Sequence, residues 1–248
     1  MWPKLQRWRG VILGAAAIVA TVWLALTNQL ILYIHPRYVV FTVVMAVLAL
    51  VFVIASFTLK PSHSHDEPTS RRSALLSNSA AVIALIIAVA MIVIPPATLT
   101  SATVAQRDIN GAGVGEDVQS VEDAATASDT AFAAFTVQDW ASLLRQTSDT
   151  GFYAEKPADV VGFITEDADD PENVFYVSRF VITCCAVDAQ PIGVPVYMPG
   201  WQDEHAVDDW IQVDGEFVAN PSRDSAQQIA LLPETVTPVG EPSEPYLF

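Results

Sequence analysis

The chain has 248 residues, with 12 Lys or Arg against 28 Asp or Glu and a formal net charge of −16. So acidic a chain repels phosphate backbones, which excludes a nucleic-acid binder working through a basic face. The hydrophobic share of 52% gathers in long runs near the start, which excludes an ordinary soluble globule for that part.

Three runs stand out, at about 11–34, 38–59 and 75–94: Val11 to Ile34, Tyr38 to Leu59 and Leu75 to Ile94. Each reaches the roughly 20 residues that a helix needs to cross a bilayer core, and none contains Asp, Glu, Lys or Arg. The pattern predicts three transmembrane helices with satisfied backbones. Lys4, Arg7 and Arg9 precede the first run, and Lys60, Arg71 and Arg72 stand in the loop at 60–74, while the tight turn between the first two runs carries Arg37 as its one Lys or Arg. The excess of basic residues marks the N-terminus and the second loop as cytoplasmic. The chain is expected to be a multi-pass cell-membrane protein, in contact with lipid, with everything after Ile94 extracytoplasmic. Residues 1–94 hold seven of the 12 basic and two of the 28 acidic residues, so the C-terminal part is far more acidic than the whole.

Residues 97–135 are rich in Ala, Thr, Ser, Gly and Asp. That composition buries little and predicts a flexible acidic stalk. Thr136 and Asp139 are spaced to cap a short helix running to Arg145, with Val137, Trp140, Leu143 and Leu144 on one face. Five β-like segments follow: Val160–Ile164, Val174–Ile182, Val194–Met198, Trp210–Val218, and Ile229–Val239 interrupted by Pro233. Pro195 implies an edge or a bulge. Five short strands predict a small barrel over 136–240, with the OB-like five-stranded form as the best candidate, and 241–248 as a tail. The fold class is thus membrane α plus β.

Cys184 and Cys185, adjacent in Thr183-Cys184-Cys185-Ala186-Val187-Asp188, are the only cysteines. Three readings stand open: two buried structural thiols; a site for zinc or another soft divalent metal completed by Asp188 or a histidine; and a redox dithiol. His63 and His65, with Asp66 and Glu67, form a second metal candidate or a plain polar loop. His35 beside Arg37, and His205, are lone imidazoles whose ordinary role is structural. The apolar runs carry no ionisable group, so they do not form a transport path by themselves. No Gly-x-Ser-x-Gly, His-Glu-x-x-His or Walker loop occurs, and no enzyme is expected.

The segments Tyr33-Ile34-His35-Pro36-Arg37, His63-x-His65, Ile94-Pro95-Pro96, Arg179 through Pro195 and Glu244-Pro245-Tyr246 resemble the YcgQ-like bacterial membrane proteins. The Cys-Cys-Ala-x-Asp-Ala-x-Pro-x-Gly stretch is the most specific part. The family is described as subunits of a two-component permease. The resemblance implies an accessory, non-catalytic membrane subunit working with a separate multi-span permease. With the acidic C-terminal part and the Cys-Cys-Asp segment, it gives the expected function: handling a metal cation or similar solute on the outer face. The alternatives are an envelope structural or sensing protein whose OB-like domain binds a protein or glycan, and an envelope thiol redox protein.

Overall fold

A computed structural model of the chain describes residues 2–58, 79, 82–83, 86–87, 89–90, 94, 98–111, 119–132, 134–154 and 156–248. Two units result, Met1–Ala97 and Thr98–Phe248.

In the first unit, α1 covers Trp2–Leu26 and α2 covers Pro36–Thr58. The apolar run at 11–34 does not stay helical to its end. Asn28 takes a left-handed φ of 57°, which stops the helix, and a 3₁₀ turn at Leu30–Leu32 follows. Pro36 then opens α2, where its missing N–H costs nothing. Ile18, Ala20 and Leu24 of α1 are buried with Leu30 and Ile31 of the turn, while Val40, Phe41 and Phe52 of α2 stay exposed. Among the described residues, one helix is long and apolar enough to cross a membrane, Pro36–Ala55, with a mean hydropathy of 2.9. α1 supplies only a shorter apolar stretch, Gly14–Leu26. The expectation of three spans is corrected to this one among the described residues. Of the third run, only scattered helical residues such as Val82, Ile83, Ile86 and Ile87 are described, and the loop at 60–74 lies outside the described residues.

The second unit is built on a six-stranded sheet: β1 Pro157–Glu166, β2 Val174–Val181, β3 Gln190–Tyr197, β4 Trp210–Ala219, β5 Ile229–Pro238 and β6 Tyr246–Leu247. The first five overlap the five predicted segments, of which those ending at Ile182, Met198 and Val239 run one residue past the strand. The sixth corrects the expected tail, because Tyr246 and Leu247 pair in parallel with Phe180 and Val181. The strand order is β1-β4-β5-β3-β2-β6, with a further β1–β2 pairing. The pairings therefore run β1–β2–β3–β5–β4 and back to β1. Only β3–β5, at Val196 and Leu231, and β2–β6 are parallel. Every residue of β2 is buried, as expected of a strand covered on both faces.

Closing this cycle requires tight crossings, and two glycines allow them. A Cβ on Gly162 would sit 2.5 Å from the Ser178 carbonyl oxygen and 2.9 Å from Val177 Cγ1, where β1 crosses β2. A Cβ on Gly215 would meet the Leu232 oxygen at 2.3 Å, at the β4–β5 register shift. Gly162→Ala is expected to lower stability by about 2–3 kcal/mol through overpacking. Gly240→Ala, where a Cβ meets nothing within 4 Å, should leave the urea midpoint nearly unchanged. Equal midpoints for the two variants would refute the crossing argument.

The described part of the expected stalk is not free. It includes α3 (Ser101–Val104), α4 (Val121–Ala125) and α5 (Asp129–Phe132). Ser101 N–H and hydroxyl donate to the Asp208 carboxylate at 2.7 and 2.9 Å. Asn110, at φ 58°, donates its amide to Gly193 O at 2.8 Å and accepts from Gly193 N at 2.9 Å. It thereby satisfies an outward-facing peptide of β3, the role a neighbouring strand would fill. Composition suggested disorder, but a few side chains docked on the sheet outweigh it.

α6 (Val137–Gln146) is the predicted capped helix, and α7 (Thr150–Tyr153) follows. Thr136 and Asp139 form a reciprocal capping box. Trp140 is fully buried and packs on Phe135 and Phe217, with ring centroids 5.2 and 4.8 Å away. Phe132 of α5, also buried, stacks on the same indole. The end of the supposed stalk thus belongs to the core.

Candidate metal centre

β2 ends at Val181, and the chain leaves the sheet through Ile182 and Thr183 into the cysteine pair. A 3₁₀ turn at Ala186–Asp188 folds it back before β3 starts at Gln190. The turn places Asp188 under the peptides that precede it. Its Oδ1 accepts from Thr183 N at 3.2 Å, and its Oδ2 accepts from Cys184 N at 2.9 Å and Cys185 N at 3.3 Å. Three successive backbone N–H groups make an anion-holding concavity, and the chain fills it with its own carboxylate.

This geometry brings the two thiols together. Their Sγ atoms lie 3.6 Å apart, with Cys184 exposed and Cys185 half-buried. One ligand atom from each of Cys184, Cys185 and Asp188 lies within 4.8 Å of the others, and this is the one such cluster among the described residues. The Cys184 thiol hydrogen-bonds the Asp188 carboxylate and also faces the Cys185 sulfur. These bonds, with the nearby negative charge, push its pKa up to about 12. Burial would raise the Asp188 pKa, but bonds from the Cys184 thiol and the backbone N–H groups outweigh it and hold the carboxyl below its ordinary range. At neutral pH the apo site is therefore a carboxylate with a thiol proton resting on it. A soft cation can take that proton's place. The donor set of two sulfurs and one carboxylate suits zinc and leaves a fourth position for water or a partner.

The described members of the other candidate residues do not join this cluster. His205 is half-buried near the turn that begins at Trp201 and is not part of it. His35 is buried at the start of α2, where its Nδ1 accepts from Arg37 N at 3.1 Å. The Arg37 guanidinium lies 3.3 Å from His35 Nε2. His35 thus acts as the side-chain cap of α2. His63 and His65 lie outside the described residues.

Sequence reasoning missed two arginines, one that holds the thiol loop and one that clasps the C-terminal strand. Arg107 donates to Val187 O at 3.0 Å across 80 chain positions, tying the former stalk to the thiol loop. No local spacing signals such a contact. Arg179 is 9% exposed on β2 and donates Nε–H to Pro245 O at 2.8 Å, Nη2–H to Glu244 O at 2.7 Å and Nη1–H to Val161 O at 3.3 Å. Its charge in an apolar strand was the available signal. Burial pushes its pKa down.

An apolar helical N-terminal unit joined to a sheet domain with a surface Cys-Cys-Asp cluster defines the class of protein. The chain belongs to the DUF1980 family: residues 9–110 match the DUF1980 N-terminal domain and residues 117–248 the DUF1980 C-terminal domain. No curated protein and no solved structure matches it.

Proposed function

We propose that this chain is a membrane-anchored, non-catalytic accessory subunit that captures a zinc-like divalent cation for a separate multi-span permease. The observation that carries the reading is the convergence of two thiols and a carboxylate on one exposed loop. The acidity of the C-terminal part supports it by raising the local cation concentration. The apolar α2 supports membrane anchoring. The three charge-free apolar runs of the sequence favour a multi-pass arrangement, and the basic residues Lys4, Arg7 and Arg9 favour a cytoplasmic N-terminus with the C-terminal domain on the outer face. The cyclic strand pairing, with β3 and β5 parallel, favours an OB-like barrel extended by β6. The barrel then serves as a rigid frame for the loop rather than as a nucleic-acid reader.

Zinc titration of the reduced full chain in detergent tests this. One ion per chain should bind and protect both thiols from alkylation. Cys184→Ser and Cys185→Ser should each lose most of the affinity. Affinity should fall as the pH drops, by about tenfold per pH unit for each thiol proton displaced. Unchanged binding in both variants, or none in the parent chain, would reject the metal reading. Asp188 would then be a hydrogen-bonded staple of the loop.

A further inference from the structure

Adjacent residues of an extended strand send their side chains to opposite faces, and Cys185 is extended at φ −156°, ψ 166°. The two sulfurs nevertheless meet at 3.6 Å. Asp188 Oδ2 accepts from both cysteine N–H groups, and this shared acceptor turns the intervening peptide so that both thiols emerge on one side. A small reagent in solvent reaches exposed Cys184 first, with half-buried Cys185 standing beside it.

We infer that Cys184 and Cys185 form a reversible redox site in which a low-molecular-weight disulfide closes a bridge between them and so unloads the metal. The inference rests on the metal reading of the same residues. Its chemistry balances without a further reactant. In the metal-free site the fraction of Cys184 present as thiolate attacks one sulfur of the small disulfide, whose S–S bond breaks, and the first small thiol leaves with the proton that Cys184 released. The Cys185 sulfur then attacks Cys184 and displaces the second small thiol. Two protein S–H groups have become one S–S bond, and one small disulfide has become two thiols. When the metal is bound, the two thiolates enter the bridge, two protons come from water, and the divalent ion departs.

The remaining donor is Asp188, whose oxygens already accept three backbone N–H groups, and one carboxylate so engaged does not retain zinc. The bridge is also easily reopened. One trans peptide holds the Cα atoms about 3.8 Å apart, closer than an ordinary disulfide takes, and a strained bridge is more readily reduced. That property suits a switch and does not suit a permanent staple.

The test equilibrates the full chain in detergent, without oxygen, in glutathione buffers of graded redox poise. Each sample is split for zinc content and for alkylation followed by intact mass. The expected result is a species lighter by two hydrogens that takes no alkyl group, rising in step with zinc loss and reversed by dithiothreitol. Cys184→Ser and Cys185→Ser should yield glutathione adducts and no such species. Mixed adducts or linked dimers in place of the internal bridge would overturn the inference. So would a bridged chain that keeps its zinc. A fully reduced chain that binds no zinc overturns the metal reading and, with it, the unloading step. The mass readouts of the oxidising samples separately report whether the bridge forms.

Discussion

Arg179→Ala is expected to lower the stability of the C-terminal domain by about 3 kcal/mol. The guanidinium serves three carbonyls, of Val161, Glu244 and Pro245. It also lies over the Trp210 ring, 5.3 Å from its centroid. Removal leaves the carbonyls of Val161 and Pro245 without that donor; water can reach exposed Glu244, while Pro245 is buried. Each stranded acceptor costs about 1–3 kcal/mol, and the lost cation–π contact adds about 1 kcal/mol. β6 hangs on this clasp. Ile182 N–H donates to Leu247 O at 2.9 Å, and the Tyr246 hydroxyl accepts from Leu99 N at 2.9 Å. Arg179→Ala should therefore release both the C-terminus and the start of the domain. Thermal unfolding should drop by roughly 10 °C, with fast amide exchange at Leu247 and Leu99 before the rest of the sheet opens. Arg179→Lys should recover only part of the loss, since an ammonium cannot span three acceptors as the planar fork does. A wild-type melting temperature in Arg179→Ala would contradict the clasp.

Asp188→Asn acts on the site more than on the fold. An amide oxygen can accept some of the N–H bonds, but its NH₂ group is set against N–H donors and repels them. Bonds to a carboxylate contribute about 1.5–3 kcal/mol each when well buried. This carboxylate is only partly buried, so a local loss of about 1–2 kcal/mol is expected. The thiol pair loses its alignment, zinc affinity falls by more than about tenfold, and amide exchange at Cys184 and Cys185 speeds up. The pH dependence has a definite sign. The Asp188 pKa is depressed in the folded state, so its contribution is full above the ordinary carboxyl pKa and fades as pH falls through the folded value. In Asp188→Asn that acid-side fading should vanish, which hydrogen exchange in the loop between neutral and acid pH can read. Retention of zinc affinity and slow exchange in the variant would show that the loop is held by other contacts.

Some of this architecture was legible in the sequence because the contacts concerned are local. Thr136 and Asp139 sit three residues apart, and any helix beginning there closes the same capping box. The five main strands announced themselves by alternating or continuous apolar residues. The centre itself is local: Cys184, Cys185 and Asp188 lie within five residues, so one turn brings them together. Apolar composition likewise made α2 a membrane candidate without any tertiary information.

What only the tertiary structure decided depends on partners far along the chain. Residues 98–111 look like a stalk because composition cannot reveal that Asn110 meets Gly193, or Ser101 meets Asp208. The last residues look like a tail because a two-residue strand has no pattern of its own and exists only beside β2. Arg179 was visible as a charge in an apolar strand, but its carbonyl partners are 65 and 66 positions away at Glu244 and Pro245. The end of α1 turned on a single left-handed residue, Asn28, which hydropathy does not register. His205 fell outside the centre because sequence gives no distance between loops. Short-range geometry is set by backbone sterics and spacing, whereas long-range pairing depends on which surfaces remain to be covered once the sheet has formed.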